Sequence, residues 1–170
     1  SGNPDSLSLD GSSLTGTPTN GDVGVYTIVV SAHDEANSTT AQYSFDLTVE
    51  NTNDAPTLII SIVDQEATQG DVINLDVSGS FGDIDLGDSF TYSISGAPES
   101  LSIDAEGVIT GELTNSDVIN SPYTIEVSAS DSAGSVITDS FELVIEDLND
   151  APVFASIETQ SATEDSPFSI

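Results

Sequence analysis

The sequence contains no lysine, arginine, cysteine, methionine or tryptophan among its 170 residues. It carries 30 aspartates and glutamates and a single histidine, so its formal net charge at pH 7 is −30. Like charges destabilise the compact state, and this chain can neutralise them only with cations from outside. Nucleic acids and anionic membrane surfaces are bound through lysine and arginine, so the composition excludes both as partners.

Three absences narrow the class of protein. Without cysteine there are neither disulfides nor zinc–thiolate sites. No apolar run approaches the roughly 18 residues that a transmembrane helix requires. Residues 1–20 also lack the charged and apolar regions of a signal peptide. We therefore expect a soluble segment of a longer protein, with no membrane insertion.

An enzyme is the least favoured class. The only histidine, His33, lies beside Asp34 at a predicted strand end, where a surface or packing role is expected. A catalytic triad is defined by geometry rather than by residue inventory. The sequence shows no nucleophile paired with a base, no cofactor-binding loop and no transition-metal cluster, so we expect a non-enzymatic protein.

The apolar residues indicate an all-β fold. In "YTIEVSAS" (Tyr123–Ser130) apolar and polar residues alternate with period two, and residues 26–33 and 43–50 do the same. Turn signals separate these runs, which predicts about seven short strands in two antiparallel sheets. No segment shows helical periodicity. The strand aromatics, including Tyr43 and Phe45, are expected to pack in the core.

Long internal repeats divide the chain. Residues 1–56 align with residues 95–152, and both segments end in the phrase Asn-Asp-Ala-Pro. Residues 151–170 then match residues 55–74. We therefore predict the C-terminal part of one repeat in residues 1–53, a complete repeat in residues 54–149, and the start of a third in residues 150–170.

The phrases "LSIDAEGVITG", "YTIEVSASDSAG" and "FELVIEDLNDAPVF" (Leu101–Phe154) together resemble a cadherin repeat. The resemblance is closest to the bacterial cadherin-like repeats, including the dystroglycan-type form, which stand in tandem in large secreted adhesins. It implies tandem seven-stranded Greek-key β-sandwiches of the cadherin or immunoglobulin-like type. It also implies an extracellular location and Ca2+ between successive repeats.

The resemblance assigns candidate calcium ligands by position. They are Asn51, Asn53 and Asp54 in the first linker, Asp147, Asn149 and Asp150 in the second, Asp83, Asp85, Asp88 and Asp131 in the complete repeat, and Glu164 as the early glutamate of the third. Gln69 replaces that glutamate in the complete repeat, which leaves Asp71 or Glu66 to compensate. The family's Leu-Asp-Arg-Glu phrase is also missing, which leaves Asp117 and, upstream, Asp22 as substitute ligands.

The chemistry of these residues suits calcium, which takes six to eight oxygen ligands in a flexible geometry. In "DIDLGD", Asp83 and Asp85 stand two apart, so in an extended segment both project from one face while Ile84 turns toward the core. Gly87 permits the turn that directs Asp88 toward the same site. The alternative is a solvated acidic hinge without metal.

These observations favour a calcium-binding extender or adhesion segment of a long extracellular repeat protein, secreted or on the surface of a bacterial cell. Its expected partners are neighbouring repeats of the same chain. One alternative is a module that binds polysaccharide, or a like domain on another cell, through calcium. Another is a filament subunit in which like chains associate by strand exchange or end to end.

Overall fold

A computed structural model describes residues 4–85, 87–167 and 169, so the parts of the predicted repeats at residues 1–3, 86, 168 and 170 lie outside it. The described chain is built from β-strands. They are β1 (Leu7–Asp10), β2 (Ser13–Gly16), β3 (Gly24–Asp34), β4 (Thr39–Val49), β5 (Thr57–Leu58), β6 (Gln65–Thr68), β7 (Val72–Asp76), β8 (Phe81–Gly82), β9 (Thr91–Ser95), β10 (Ser102–Ile103), β11 (Val108–Glu112), β12 (Tyr123–Ser130) and β13 (Val136–Glu146).

The predicted β-sandwich is confirmed. A three-stranded sheet in the order β10-β11-β7 accompanies a four-stranded sheet in the order β6-β13-β12-β9. Pairing within the two sheets is antiparallel except between β6 and β13, which run parallel. Because these first and last strands point the same way, the chain enters the sandwich at one end and leaves at the other. The two linkers therefore lie at opposite ends.

The core lies between the two sheets and follows the period-two pattern of the sequence. Ile125, Val127 and Ala129 of β12 are completely buried, and alternate residues of the neighbouring strand β13 are buried with them. Burying one such Val, Leu or Ile side chain contributes about 1.5–3 kcal/mol to folding. These strands therefore hold the loops at the ends of the sandwich in fixed positions.

The hairpins β1–β2 and β3–β4 repeat the local structure of β10–β11 and β12–β13. Gly16 and Gly111 show how close the match is, since both have positive φ. A Cβ at either glycine would lie about 2 Å from the carbonyl oxygen of Ser6 or Ser100, respectively. The close approach of the glycine to this carbonyl oxygen therefore requires glycine in both copies.

The aromatic residues of β4 contradict the core prediction. Tyr43 is 73% exposed and Phe45 is 39% exposed. Within the described residues β3 and β4 pair only with each other, whereas β9 and β6 flank the equivalent strands β12 and β13. The aromatic side chains remain exposed because no such flanking strands complete this sheet.

A threonine–aspartate pair caps a short helix in each copy. Thr19 precedes a 3-10 helix at Asn20–Asp22, and Thr114 precedes α1 (Asn115–Val118), a turn of α-helix absent from the sequence prediction. Such a helix is too short to show periodicity, but its capping box is visible as Thr-Asn-x-Asp. In both copies the aspartate side chain accepts hydrogen bonds from the threonine backbone and hydroxyl at 2.6–2.9 Å.

Both capping carboxylates are buried, and both have lowered pKa values. The neighbouring Ser6 hydroxyl and the Thr19 amide lower the pKa of Asp22. Burial raises the pKa of Asp117, but the Thr114 hydroxyl and amide outweigh it, so the net shift is downward. Each ionised cap therefore stabilises the fold above the ordinary pKa of 3.8, and this contribution is lost as the pH falls through the lowered value.

We predict that Asp117→Asn lowers the free energy of unfolding by about 1–2 kcal/mol at neutral pH, since a buried capping interaction is weakened. The deficit relative to wild type should shrink at a pH below the lowered pKa of Asp117, because the wild-type cap is then protonated as well. Urea denaturation at both pH values measures this. The control is Asp10→Asn, which removes an exposed carboxylate. An equal deficit at both pH values would contradict the prediction.

Candidate metal centre

Two loops of the complete repeat meet the first linker. The loop that follows β8 carries Asp83, Asp85 and Asp88, and the turn between β12 and β13 begins at Asp131. Two backbone hydrogen bonds close this turn: the Asp131 N–H donates to the Ser135 carbonyl at 3.0 Å, and the Gly134 N–H donates to the Asp131 carbonyl at 3.2 Å. The sheet ends thus bring carboxylates that are distant in sequence to one end of the sandwich.

Three carboxylates converge at this end. One oxygen from each of Asp83, Asp88 and Asp131 lies within 4.8 Å of the others, and no other metal-sized group of three exists among residues 4–85, 87–167 and 169. Calcium–oxygen bonds measure about 2.3–2.6 Å, so ligands on opposite sides of one ion are about 5 Å apart. The spacing therefore fits a single calcium ion.

Buried oxygens without hydrogen bonds occur in two members of this group and in Asp85, which lies between them in the same loop. Asp85 is 6% exposed, and its Oδ2 accepts the Asp54 N–H at 2.7 Å, whereas its Oδ1 has no hydrogen-bond partner. One oxygen each of Asp83 and Asp88 is likewise buried and without a partner. Burying a carboxylate without compensation is costly. Oxygen ligands of this kind match the preference of a hard divalent cation.

Asp131 is held in its ionised form. Its Oδ2 accepts the Asn53 side-chain N–H at 3.0 Å, and its Oδ1 accepts the Ser135 N–H at 2.7 Å. The Asn53 amide, followed by the donors of the turn, lowers the pKa of Asp131 although burial opposes the shift. An ionised carboxylate in a fixed orientation is what cation ligation requires.

The first linker contacts the structure on both sides. On its downstream side, Asn53 contacts Asp131 and the Asp54 N–H contacts Asp85. On its upstream side, the Asn20 side-chain N–H donates to Asp54 Oδ2 at 2.5 Å. A direct path of hydrogen bonds therefore runs from the N-terminal copy through the linker to the acidic loops.

The predicted orientation of Ile84 is wrong. Its side chain is 67% exposed and, with Thr19, Asn20, Gly21 and Val23, lines a surface cavity. Residues 83–85 do not form a strand, because the Asp85 N–H turns back to Asp83 Oδ1 at 2.9 Å. The turn predicted at Gly87 is confirmed by its φ of +88°.

The remaining predicted ligands lie outside the acidic group. Asp22 is a helix cap. Asn51, Asp147 and Glu164 are exposed. In the second linker the Asn149 side chain donates to the carbonyl of Asp150 at 3.4 Å. Their assignment as calcium ligands stays a prediction.

Sequence reasoning overlooked the asparagines that contact the linkers. Asn20 donates to Asp54, and Asn115 donates to Asp150 Oδ2 at 3.3 Å. The available signal was the repeated phrase "TNGD" and "TNSD", in which only the aspartate was considered as a ligand. The aspartate caps the helix, and the asparagine, to which no role had been assigned, reaches the linker.

None of the described helices has the length and apolar character needed to cross a membrane. The helical segments within the described ranges span only three or four residues each.

Comparison with solved structures supports the sandwich. Extracellular cadherin domains 1–5 of protocadherin gamma B2 superpose with a TM-score of 0.61 at 20% identity over 86% of this chain, which spans 32% of that structure. Chicken VE-cadherin EC1-2 gives 0.59 at 20% identity, covering 86% of this chain and 82% of the other. Mouse cadherin-23 EC22-24 gives 0.55 at 16% identity, with 84% and 50% coverage. At these identities the likeness establishes the fold.

No curated protein matches the chain. A protein-family model described as "Putative Ig domain" does match it, over residues 1–50 and 55–146. These ranges include both hairpins of the N-terminal copy and every strand of the sandwich. The chain therefore belongs to the Putative Ig domain family, with a cadherin-like sandwich as its fold.

Proposed function

We propose that the chain is a non-enzymatic, calcium-binding extender of a long extracellular repeat protein with an adhesive function. The observation that carries the proposal is the buried, unpartnered Oδ1 of Asp85 beside the group formed by Asp83, Asp88 and Asp131. The chain supplies no lysine or arginine to neutralise these carboxylates. A hard divalent cation is the neutralising partner that their oxygen-only chemistry favours.

Calcium would act mechanically in this proposal. Asp83, Asp85, Asp88 and Asp131 would hold the ion, with Asn53 and Asp54 supplying further oxygens from the linker. Bound calcium supplies positive charge that replaces carboxylate repulsion with ligation. Because the linker residues already contact these loops, the ion would fix the path of the linker and so the angle between repeats.

The proposed surroundings follow from the cadherin resemblance of the sequence and from the named structural neighbours. The protocadherin neighbour consists of extracellular cadherin domains. A surface with net charge −30 would keep copies apart until divalent cations screen or bridge them. These features are compatible with a secreted or cell-surface adhesin, and the resemblance to bacterial repeats favours a bacterial one.

A second candidate function is assembly of like chains by strand exchange. Among the described strands none pairs with the outer edges of β3 and β4. The edge of β4 corresponds to the edge of β13 that β6 occupies in parallel. Residues 160–163 match β6 in sequence, so the same segment of another chain would fit that edge. Sedimentation equilibrium at high concentration with calcium tests this, since a persistent monomer would refute exchange.

We predict that excess calcium raises the melting temperature of the chain relative to chelator. A ligand at 100 times its dissociation constant stabilises the native state by about 2.7 kcal/mol. For a domain of about 100 residues, such as the sandwich, this stabilisation raises the melting temperature by about 10 °C or more. Thermal circular dichroism at constant ionic strength measures it, with potassium chloride as the control for screening. An unchanged midpoint refutes the metal proposal.

We further predict opposite effects of Asp85→Asn with and without calcium. In chelator the variant should be more stable than wild type, because a buried uncompensated charge is removed. In calcium it should lose most of the stabilisation that wild type gains. The exposed control Asp10→Asn should leave the calcium-induced shift unchanged. Equal calcium shifts in wild type and Asp85→Asn would exclude Asp85 as a ligand.

A further inference from the structure

We propose, resting on the calcium function above, that the joint around the first linker holds one cation on the downstream side of that linker. Asparagine and glutamine amides take the place of further cations on the upstream side of both linkers. The proposal concerns the number of ions at a joint and the residues that limit it. It rests on the separate placement of carboxylates and amides around the two linkers.

The downstream side of the first joint concentrates the carboxylates. Asp83, Asp85, Asp88 and Asp131 all belong to the complete repeat, and the converging oxygens are spaced for one ion. With Asn53 and Asp54 of the linker, these carboxylates offer the six or more oxygens that calcium takes. The ion therefore needs no ligand upstream of the linker.

The upstream side has no free carboxylate in the corresponding position. Asp22 is 6% exposed, and its carboxylate is engaged by Thr19. The group that does reach the linker is the Asn20 amide, which donates to Asp54 Oδ2 at 2.5 Å. An N–H donor at this oxygen stabilises the charge of Asp54 as a cation would, but without adding a positive ion.

The second joint repeats this arrangement with two amides. Gln69 Nε2 and Asn115 Nδ2 approach the same oxygen, Asp150 Oδ2, at 3.4 and 3.3 Å. Asp117, the counterpart of Asp22, is buried and capped by Thr114. Two neutral donors on one carboxylate oxygen occupy the space where a cation would bind.

Charge explains why amides limit the number of ions. Calcium affinity depends on the number of charged ligands. An amide can rotate to present its oxygen, yet this oxygen carries no net charge. Each of these amides contacts a single carboxylate, Asp54 or Asp150, and one carboxylate lacks the charge to hold a second ion against bulk water.

Isothermal titration calorimetry with calcium chloride at physiological ionic strength, where diffuse binding is screened, tests the proposal. Wild type should bind one ion in the tight phase, and Asn20→Asp should bind two. The double variant Gln69→Glu with Asn115→Asp should also gain one ion, because three carboxylates would then meet around Asp150. The control Asn74→Asp adds an exposed charge on β7 and should leave the number at one.

The outcomes separate this proposal from the calcium function on which it rests. If wild type binds no calcium, the calcium function itself fails. If wild type binds two or more ions tightly, calcium binding stands and the single-ion proposal is refuted. If wild type binds one ion and neither Asn20→Asp nor the double variant gains another, the role of the amides is refuted. Circular dichroism confirms that each variant is folded.

Discussion

The structure depends on how carboxylates are satisfied in a chain without lysine or arginine. Each buried carboxylate needs N–H or O–H donors from the protein, or a cation from outside. Protein N–H and O–H donors satisfy the capping aspartates Asp22 and Asp117, and both have lowered pKa values. In Asp85 only one carboxylate oxygen has such a donor, and the other is buried without a hydrogen-bond partner. Asp85 therefore has an oxygen available to a cation, whereas each capping aspartate is engaged by its threonine.

The sandwich provides the geometry that makes this difference useful. Parallel pairing of β6 with β13 sends the chain in at one end and out at the other. The acidic loops and the first linker therefore share the entry end, where Asp131 and Asp85 are fixed by hydrogen bonds to Asn53 and to the Asp54 N–H. A metal at this position would act on the linker directly, which links local charge compensation to the mechanics of a tandem array.

Much of the fold was predictable, because period-two alternation and repetition are properties of local sequence. Ile125, Val127 and Ala129 are buried as the pattern of β12 requires. One failure occurred where strands distant in the sequence decide the outcome, and another where a local side-chain hydrogen bond replaces a strand. Tyr43 shares the alternation of the buried strands, yet it is exposed because no described strand flanks β4. Ile84 is exposed because a bend, closed by the Asp83 side chain, replaces the expected strand.

The sequence by itself determined the acidic composition, the repeated all-β architecture and the set of aspartates and asparagines from which a calcium site could be built. Only the tertiary structure decided which of them remain available. The Thr-Asn-x-Asp phrase marks Asp22 as a helix cap, but nothing in the local sequence shows that one oxygen of Asp85 is buried without a donor. The role of a carboxylate depends on which donors reach its oxygens, and those donors are arranged by the packing of the sheets and by the path of the linker.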